Sequence, residues 1–213
     1  MIPLKRSRIA SLAIAATFLI AAAATFQISR RSAEGLSPRW SQSTAEEITA
    51  AVTSVGRRVE RMQGAMIQSA GDARSFLIDN PLDENADRLD VRLKTFRLLE
   101  EMAERLDKDG HVLPGTEVGI QLFDAKLRRV AWAGWPQRLD DLEHRFIGGD
   151  DELLYVRHTS PYQLLTHITP ILLGDRRLGT LLIDLPLEVN YKVNNRFLQS
   201  ANLVSDLPEH LAS

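Results

Sequence analysis

The segment "ITPILLGDRRLGTLLIDLPLE" (168–188) decides the fold that this sequence predicts. Two apolar runs lie on either side of the polar tetrapeptide "GDRR" (174–177), whose glycine and charges are typical of a tight turn. Strands joined by so short a turn pair in the antiparallel sense. The segment therefore predicts a hairpin of two strands, over 163–173 and 178–188.

Three further strands are predicted upstream of this hairpin. The run "EVGIQLF" (117–123) alternates between faces, which is the period of a half-buried strand. A second strand is expected at 129–135 and a third at 152–159. The connector 136–151 contains one short helix, around 138–146. Because most of the turns are tight, the five strands indicate a mostly antiparallel, PAS-like sheet.

The part of the chain before the sheet predicts two helices. Ser43 with Glu46 and Thr44 with Glu47 both fit a capping box, so the first helix is expected to begin there. Pro81 ends it, and the second helix is expected over roughly 84–107. Helices followed by an antiparallel sheet make this an α+β chain.

A stripe of apolar residues runs along the first helix in alternating steps of four and three, as in a heptad seam. It consists of Ile48, Val52, Val55, Val59, Met62 and Met66. One interpretation is an amphipathic helix that packs on its own domain. The other is a homodimer whose parallel helices meet along the stripe. So short a heptad pattern does not distinguish the two.

The N-terminus predicts a transmembrane anchor. Residues 9–28 form an uncharged run of 20 residues, long enough for a helix to cross a hydrocarbon core of about 30 Å. Lys5, Arg6 and Arg8 precede the run, and positive residues tend to stay in the cytoplasm. We expect a single-pass inner (plasma) membrane protein with its domain in the periplasm or outside the cell. A signal peptide cleaved near "AAAAT" (21–25) is the alternative, and it exports the same domain.

These elements divide the chain into a series of parts. They are a cytoplasmic tip and anchor (1–29), a connector (30–42), a helical stalk with the second helix (43–110), the sheet (116–195) and a tail (196–213). The residues from Val189 onward are expected to form a helix that ends in this tail.

Composition excludes several functions. The net charge of −2 lacks the basic excess typical of nucleic-acid-binding proteins, so no nucleic-acid partner is expected. The absence of cysteine excludes disulfides, thiolate catalysis and cysteine-ligated zinc.

The segment "GGDDEL" (148–153) is similar to the signature of diguanylate cyclases. That family needs a helix in the preceding interval, where this sequence predicts the hairpin of 117–135, so we interpret the segment as a loop that leads into a strand. The histidines lack zinc-ligand spacing, and no serine lies in a nucleophile elbow. We therefore expect no catalytic residue, no metal and no cofactor.

Residues 40–195 resemble the Cache-type (PAS-like) extracytoplasmic sensor domains of bacterial signal-transduction proteins, such as the N-terminal regions of membrane histidine kinases. The closing hairpin 168–188 carries most of the resemblance, and "GIQLFDAKLRRVAWAGW" (119–135) is similar to the opening hairpin. Leu127 stands where that opening hairpin usually has a turn glycine. No kinase module is visible before Ser213.

The resemblance implies a domain that binds a small ligand in a sheet pocket and relays a signal through its N-terminal helix. The alternative is a non-sensing envelope scaffold or interaction protein.

The candidates for the ligand-binding site are Trp132, Arg157, Tyr162 and His167, which lie on or beside predicted strands. They offer aromatic walls and an arginine fork for a carboxylate. Arg157 is the main candidate, because an arginine within the apolar strand "LLYVRHT" (153–159) usually needs an anion. An ion pair within the domain is the alternative for this arginine.

Overall fold

The computed structural model describes residues 38–82, 89–191 and 201–202. The chain divides into two units, Arg61–Leu203 and Met1–Glu60 with Val204–Ser213. The sheet and the candidate site lie in the first unit. The helices are α1 (Pro38–Asp79), α2 (Leu89–Lys108) and α3 (Asp141–Gly148), and the strands are β1 (Gly119–Asp124), β2 (Arg129–Gly134), β3 (Leu153–Thr159), β4 (Tyr162–Leu173), β5 (Arg176–Val189) and β6 (Ala201–Asn202).

The first long helix begins earlier than the sequence predicts. α1 includes Pro38, upstream of the predicted capping box at Ser43, so residues 38–42 of the predicted connector are helical. α1 ends at Asp79, ahead of Pro81, as predicted.

All five predicted strands are present, and they form an antiparallel sheet in the order β2-β1-β5-β4-β3. The α+β class and the antiparallel sheet are therefore confirmed. β5 is the central strand, hydrogen-bonded to β1 on one side and to β4 on the other. Its residues 178–187 are all buried. Burial on both faces explains why the sequence of β5 is nearly continuously apolar.

The prediction of a helix after Val189 is wrong for Ala201–Asn202, which form β6 and pair with the end of β5. The pairing of β1 with β5 stops at Asp184, so the backbone groups of β5 beyond it need another partner. β6 provides that partner. The other residues from 192 onward lie outside the described ranges.

The connection between β2 and β3 crosses one face of the sheet. These two strands are the edges of the sheet, so the chain between them passes over its whole width, about 20 Å at the usual strand spacing. α3 forms within this crossing. Its Phe146 and Ile147 pack with Phe123, Ile168 and Leu182 of the sheet. We call this side of the sheet the α3 face.

The opposite side, which we call the helix face, packs against the long helices. Directly paired residues share a face, so Leu122 with Leu181 and Ile120 with Ile183 line it. A Cβ added to Gly179 of β5 would lie 3.4 Å from Cδ1 of Leu77 in α1. The buried residues of the helices include Met62, Met66, Ala70, Ala73, Leu77, Leu99, Met102 and Leu106.

Burial along α1 corrects part of the predicted homodimer seam. Met62 and Met66 have no exposed surface in the single chain, and Val59 is also buried. For these two methionines the first interpretation, a helix packed on its own domain, is the one that applies: they fill a core of their own chain. One apolar helix face looks the same in sequence whichever partner covers it. Ile48 and Val55 are half-buried, as is Val52.

Among residues 38–82, 89–191 and 201–202, no helix is both long and apolar enough to span a bilayer. The anchor predicted at 9–28 lies outside these ranges and remains a prediction.

The turn between β1 and β2 is built around Asp124. Its Oδ1 accepts hydrogen bonds of 2.9 Å from the N–H groups of Lys126 and Arg128, and its Oδ2 accepts one of 2.8 Å from the Arg128 side chain. Leu127 in this turn has a φ of 61°. A residue with a Cβ is strained in this left-handed region, which explains why glycine is usual at the corresponding position of similar hairpins.

We expect Leu127→Gly to stabilise the fold by about 0.5–1 kcal/mol, because about 1–2 kcal/mol of backbone strain exceeds the entropy that glycine adds to the unfolded chain. Urea unfolding measures the change. Lys126→Gly is the control, since the backbone of Lys126 is not left-handed and its replacement adds only entropy. Destabilisation by both substitutions would contradict strain at Leu127.

Candidate functional site

Arg157 of β3 is buried on the α3 face, where it joins three elements of the fold. Its side chain is 7% exposed. Nη1 donates to Oε1 of Glu143 in α3, and Nη2 donates to Oδ2 of Asp184 in β5, each at 2.6 Å. Two carboxylates of the same domain, those of Glu143 and Asp184, thus provide the negative charge that Arg157 requires.

Asp184 is the most deeply buried acid of this group, with 1% of its side chain exposed. Besides Arg157, its carboxylate accepts a 2.7 Å hydrogen bond from Oγ1 of Thr166, its cross-strand partner in β4. Burial raises the pKa of Asp184 to about 6, although Arg157 and Thr166 both favour the charged form. The loss of hydration therefore outweighs the two favourable partners.

Glu143 comes from the first turn of α3, where a capping box holds it. Asp140 Oδ1 accepts from the Glu143 N–H, and Glu143 Oε2 accepts from the Asp140 N–H, each at 2.8 Å. The other oxygen, Oε1, binds Arg157. One carboxylate therefore closes the end of the helix and pairs with the buried cation, so that neither of its oxygens is free.

Two polar atoms of this region have no hydrogen-bond partner among the described residues, namely Nε of Arg157 and the hydroxyl of Tyr155. Tyr155 lies two positions before Arg157 on β3, on the same face. Burial, and then the charge of Glu143, raise the pKa of the Tyr155 hydroxyl well above its usual range. A buried donor without an acceptor costs about 1–3 kcal/mol.

We call Arg157, Glu143, Asp184, Thr166 and Tyr155 the polar cluster. With both carboxylates ionised it holds one positive and two negative charges. Its threonine hydroxyl, that of Thr166, is fully buried against Asp184, and two further donors are available for an oxygen acceptor. A few convergent polar groups of this kind are what small-molecule sites use to orient a ligand.

Arg177, near the start of β5, fixes the opposite end of α3. Its guanidinium donates to the carbonyls of Ile147 at 2.8 Å, Gly148 at 3.1 Å and Gly149 at 2.6 Å. It also donates to the carboxylate of Asp150 at 2.6 Å. Helix ends leave carbonyls without partners, and Arg177 satisfies those of Ile147 and Gly148, while the Phe146 carbonyl accepts from the Gly149 N–H. The "GGDDEL" segment thus closes α3 and leads into β3.

Tyr162, the first residue of β4, is buried on the α3 face near the polar cluster. Its ring lies edge-to-face with that of Trp135, with the centroids 5.3 Å apart, and its hydroxyl lies 3.3 Å from that of Tyr191. Trp135 follows Gly134, whose φ of 63° interrupts the strand alternation. This interruption allows Trp135 to lie against Tyr162.

Trp132 lies on the edge strand β2 and does not join the polar cluster. It is 45% exposed. Its ring is edge-to-face with that of Phe96 of α2, with the two ring centroids 5.3 Å apart. The guanidinium carbon of Arg129 lies over the Trp132 ring, 5.3 Å from its centroid.

His167 lies on the helix face, because it pairs with Ile183 while Thr166 pairs with Asp184. Its Nε2 is 2.7 Å from Oε1 of Glu152, and this hydrogen bond lowers the pKa of Glu152. One pocket on one face of the sheet therefore does not hold both Arg157 and His167. Within residues 38–82, 89–191 and 201–202 no cluster of three or more metal-ligating side chains occurs.

The sequence interpretation missed Glu143, Asp184, Tyr155 and Trp135. Asp184 has a readable signal, because a single acid within "TLLIDLPL" (180–187) needs a partner in an apolar surrounding. Glu143 has a weaker one, since it follows Asp140 at capping-box spacing. Nothing in either pattern places them beside Arg157.

No family model matches the chain, and no curated protein matches it. Solved structures that match include the ligand-binding domain of the Campylobacter jejuni chemoreceptor Tlp3 in complex with L-valine, at 14% identity and a TM-score of 0.33. This match covers 71% of the present chain and 65% of the Tlp3 chain. The Tlp3 sensory domain with isoleucine bound matches at 13% identity and a TM-score of 0.32, with 71% and 64% covered.

The E. coli DcuS sensor domain matches at 21% identity and a TM-score of 0.29, over 53% of the present chain and 90% of its own. The three structures are ligand-binding or sensory domains. Likeness at such low TM-scores assigns no function to this chain.

We expect Arg157→Met to lower the free energy of unfolding by about 3–5 kcal/mol, because Glu143 and Asp184 would remain as buried acids without their cation. Arg105→Met is the matched control: its ion pair with Asp72 is 40% and 41% exposed, and its loss should cost less than about 1 kcal/mol. Urea unfolding of both variants measures the difference. Equal losses would contradict the central place of Arg157.

We expect Asp184→Asn to remove a pH-dependent part of the stability. The folded pKa of about 6 lies above the unfolded value of about 4, so protonation of Asp184 favours the fold. This contribution is complete below about pH 4 and is lost as the pH rises through about 6. Relative to the wild type, Asp184→Asn should therefore gain up to about 3 kcal/mol between about pH 4 and 7.

Urea unfolding at a series of pH values tests this gain. Asp150→Asn is the control, because the side chain of Asp150 is 83% exposed and its removal should not produce the same rise. A pH-independent difference between wild type and Asp184→Asn would show that the pKa of Asp184 is not raised.

Proposed function

We propose that the chain is a membrane-anchored extracytoplasmic sensor domain that binds a small ligand at the polar cluster and relays the signal through α1. The observation that carries the proposal is the pair of unpartnered donors, Arg157 Nε and the Tyr155 hydroxyl, within a buried cluster. Native cores pair nearly all of their buried polar groups, so unpaired ones call for an explanation. A ligand oxygen that accepts from them provides one.

Tyr162 and Trp135 belong to the proposed site as its aromatic wall. They lie on the α3 face at the end of the sheet, and Trp135 is 53% exposed. Aromatic side chains next to a few convergent polar groups are typical of small-molecule sites. His167 is left out of the site because it lies on the helix face, and Trp132 because its ring packs on Phe96 of α2 at the edge strand β2.

β5 is the proposed route from the site to α1. Asp184 points to the α3 face, and its neighbours Ile183 and Leu185 point to the helix face. On that face Leu77 of α1 packs at Gly179. A change in the bonds of Asp184 would therefore move the strand against which α1 packs.

In this proposal α1 transmits the signal by pairing with the α1 helix of a second copy of the chain. Ile48, Val52 and Val55 are the residues of the predicted stripe that are not fully buried in the single chain. A homodimer through them, next to the anchor predicted at 9–28, is the arrangement that we propose for signalling across the membrane.

A non-sensing scaffold is the second candidate function. The observation that favours it is the coverage of the α3 face, where α3 packs on the sheet and Arg157 is already bound by Glu143 and Asp184. In a scaffold the unpartnered donors would be a tolerated cost, and no small molecule would raise the stability of the fold.

Thermal unfolding of the full-length chain with a panel of small carboxylates, amines and amino acids tests the proposal. A ligand at about 100 times its Kd adds about 2.7 kcal/mol, which raises Tm by about 5–10 °C for a domain of this size. Tyr155→Phe should reduce the ligand-dependent rise while leaving the unliganded stability equal or higher, because it removes an unpartnered hydroxyl.

Tyr191→Phe is the matched control for Tyr155→Phe, since the Tyr191 hydroxyl already lies 3.3 Å from that of Tyr162. It should lower the unliganded stability and keep the ligand-dependent rise. If no compound of the panel raises Tm, or if Tyr155→Phe responds as the wild type does, the polar cluster is not a ligand site.

A further inference from the structure

The N-terminal turn of α3 presents a carboxylate of the chain itself to the buried guanidinium. Glu143 is bound to Arg157 by a single 2.6 Å hydrogen bond, rather than by the two parallel bonds that a carboxylate and a guanidinium can form. Its other oxygen is held by the backbone of Asp140. Glu143 therefore neutralises Arg157 without satisfying Arg157 Nε or the Tyr155 hydroxyl.

On the basis of the function proposed above, we propose that Glu143 is a built-in competitor for the ligand site. The ligand is a small carboxylate that displaces Glu143 from Arg157, and the displacement frees the first turn of α3. The ligand class follows from the group that it replaces, since the exchange of one carboxylate for another leaves the charge of the polar cluster unchanged.

The exchange favours a free carboxylate for a geometric reason. Both oxygens of a small ligand can accept hydrogen bonds from the cluster, whereas one oxygen of Glu143 is already used by Asp140. The second oxygen is then available for the donors that have no partner, Arg157 Nε and the Tyr155 hydroxyl. Glu143 regains water as it leaves, so the exchange strands no buried charge.

The two ends of α3 are held by different side chains, which confines the movement to one end. The N-terminal turn depends on Glu143, through its capping box with Asp140 and its bond to Arg157. The C-terminal end depends on Arg177, which binds Ile147, Gly148 and Gly149. Loss of the Glu143–Arg157 bond therefore releases the first turn and leaves the last turn in place.

Chemical rescue of Glu143→Ala tests the competition. The substitution removes the Cγ methylene and the carboxylate of Glu143, and propionate supplies the same carboxylate on a short alkyl chain. Propionate should raise the Tm of Glu143→Ala in a saturable way and by more than it raises that of the wild type, and neutral propionamide should not. Glu104→Ala, the loss of an exposed glutamate paired with Lys108, should not respond to propionate.

Glu143→Gln provides the second variant if Glu143→Ala does not fold. Glutamine keeps an oxygen for the Asp140 N–H but lacks the charge that holds Arg157, so this variant should also respond to propionate more strongly than the wild type. Addition of Arg157→Met to either variant should abolish the response. An equal response to propionamide, or a response that persists without Arg157, overturns the proposal.

Hydrogen exchange of the wild-type chain tests the release of α3. With propionate at a concentration that saturates its effect on Tm, amides 142–144 should exchange faster than in an equal concentration of sodium chloride. Amides 148–150, at the end held by Arg177, should keep their rates. Slower or unchanged exchange at 142–144 overturns the release of the first turn.

The outcomes separate this inference from the function on which it rests. A wild-type ligand that is not a carboxylate, with no propionate response in Glu143→Ala, overturns the competitor role and leaves sensing supported. Propionate rescue of Glu143→Ala, with no wild-type response to any compound of the panel, supports the competition for Arg157 and overturns sensing.

Discussion

The buried guanidinium of Arg157 is the interaction on which the α3 face depends. Arg157 belongs to β3, and its bonds to Asp184 and Glu143 reach β5 and α3. The topology makes such a link necessary, because the chain from β2 to β3 crosses the sheet and has to be held there. The apolar contacts of Phe146 and Ile147 secure the middle and the end of α3, and Arg157 secures its first turn.

The two faces of the sheet contribute differently to the stability of the fold. The helix face is packed mostly by aliphatic and methionine side chains, such as Leu77 and Met66, and apolar burial of this kind provides most of the stability of a fold. The polar cluster provides little by comparison, because the desolvation of its charges offsets much of their attraction. Its raised Asp184 pKa and its unpartnered donors are costs that the helix face has to offset. Costs concentrated at one place are characteristic of functional sites.

The sequence predicts the sheet well and the site only in part, and the difference lies in the range of the interactions. Hairpins depend on local alternation and on turns such as "GDRR" (174–177), so the strands could be read directly. The alternation of side chains along a strand also places His167 and Tyr162 on opposite faces of the sheet, because they are five positions apart on β4. The contact of Arg157 with Glu143 depends on how the connection crosses the sheet, and that path leaves no periodic signal. The position of Trp135 depends on the left-handed Gly134, which interrupts this alternation.

The central position of β5 determines how a change at the polar cluster can spread. Both faces of β5 are packed, so the strand does not shift on one side without repacking on the other. Asp184 is bonded on the α3 face, while the flanking Ile183 and Leu185 lie on the helix face. Gly179, further along the strand, has no side chain, and Leu77 of α1 occupies the space above it. In the proposed relay, a rearrangement of the bonds of Asp184 would therefore act on α1 through this single buried strand.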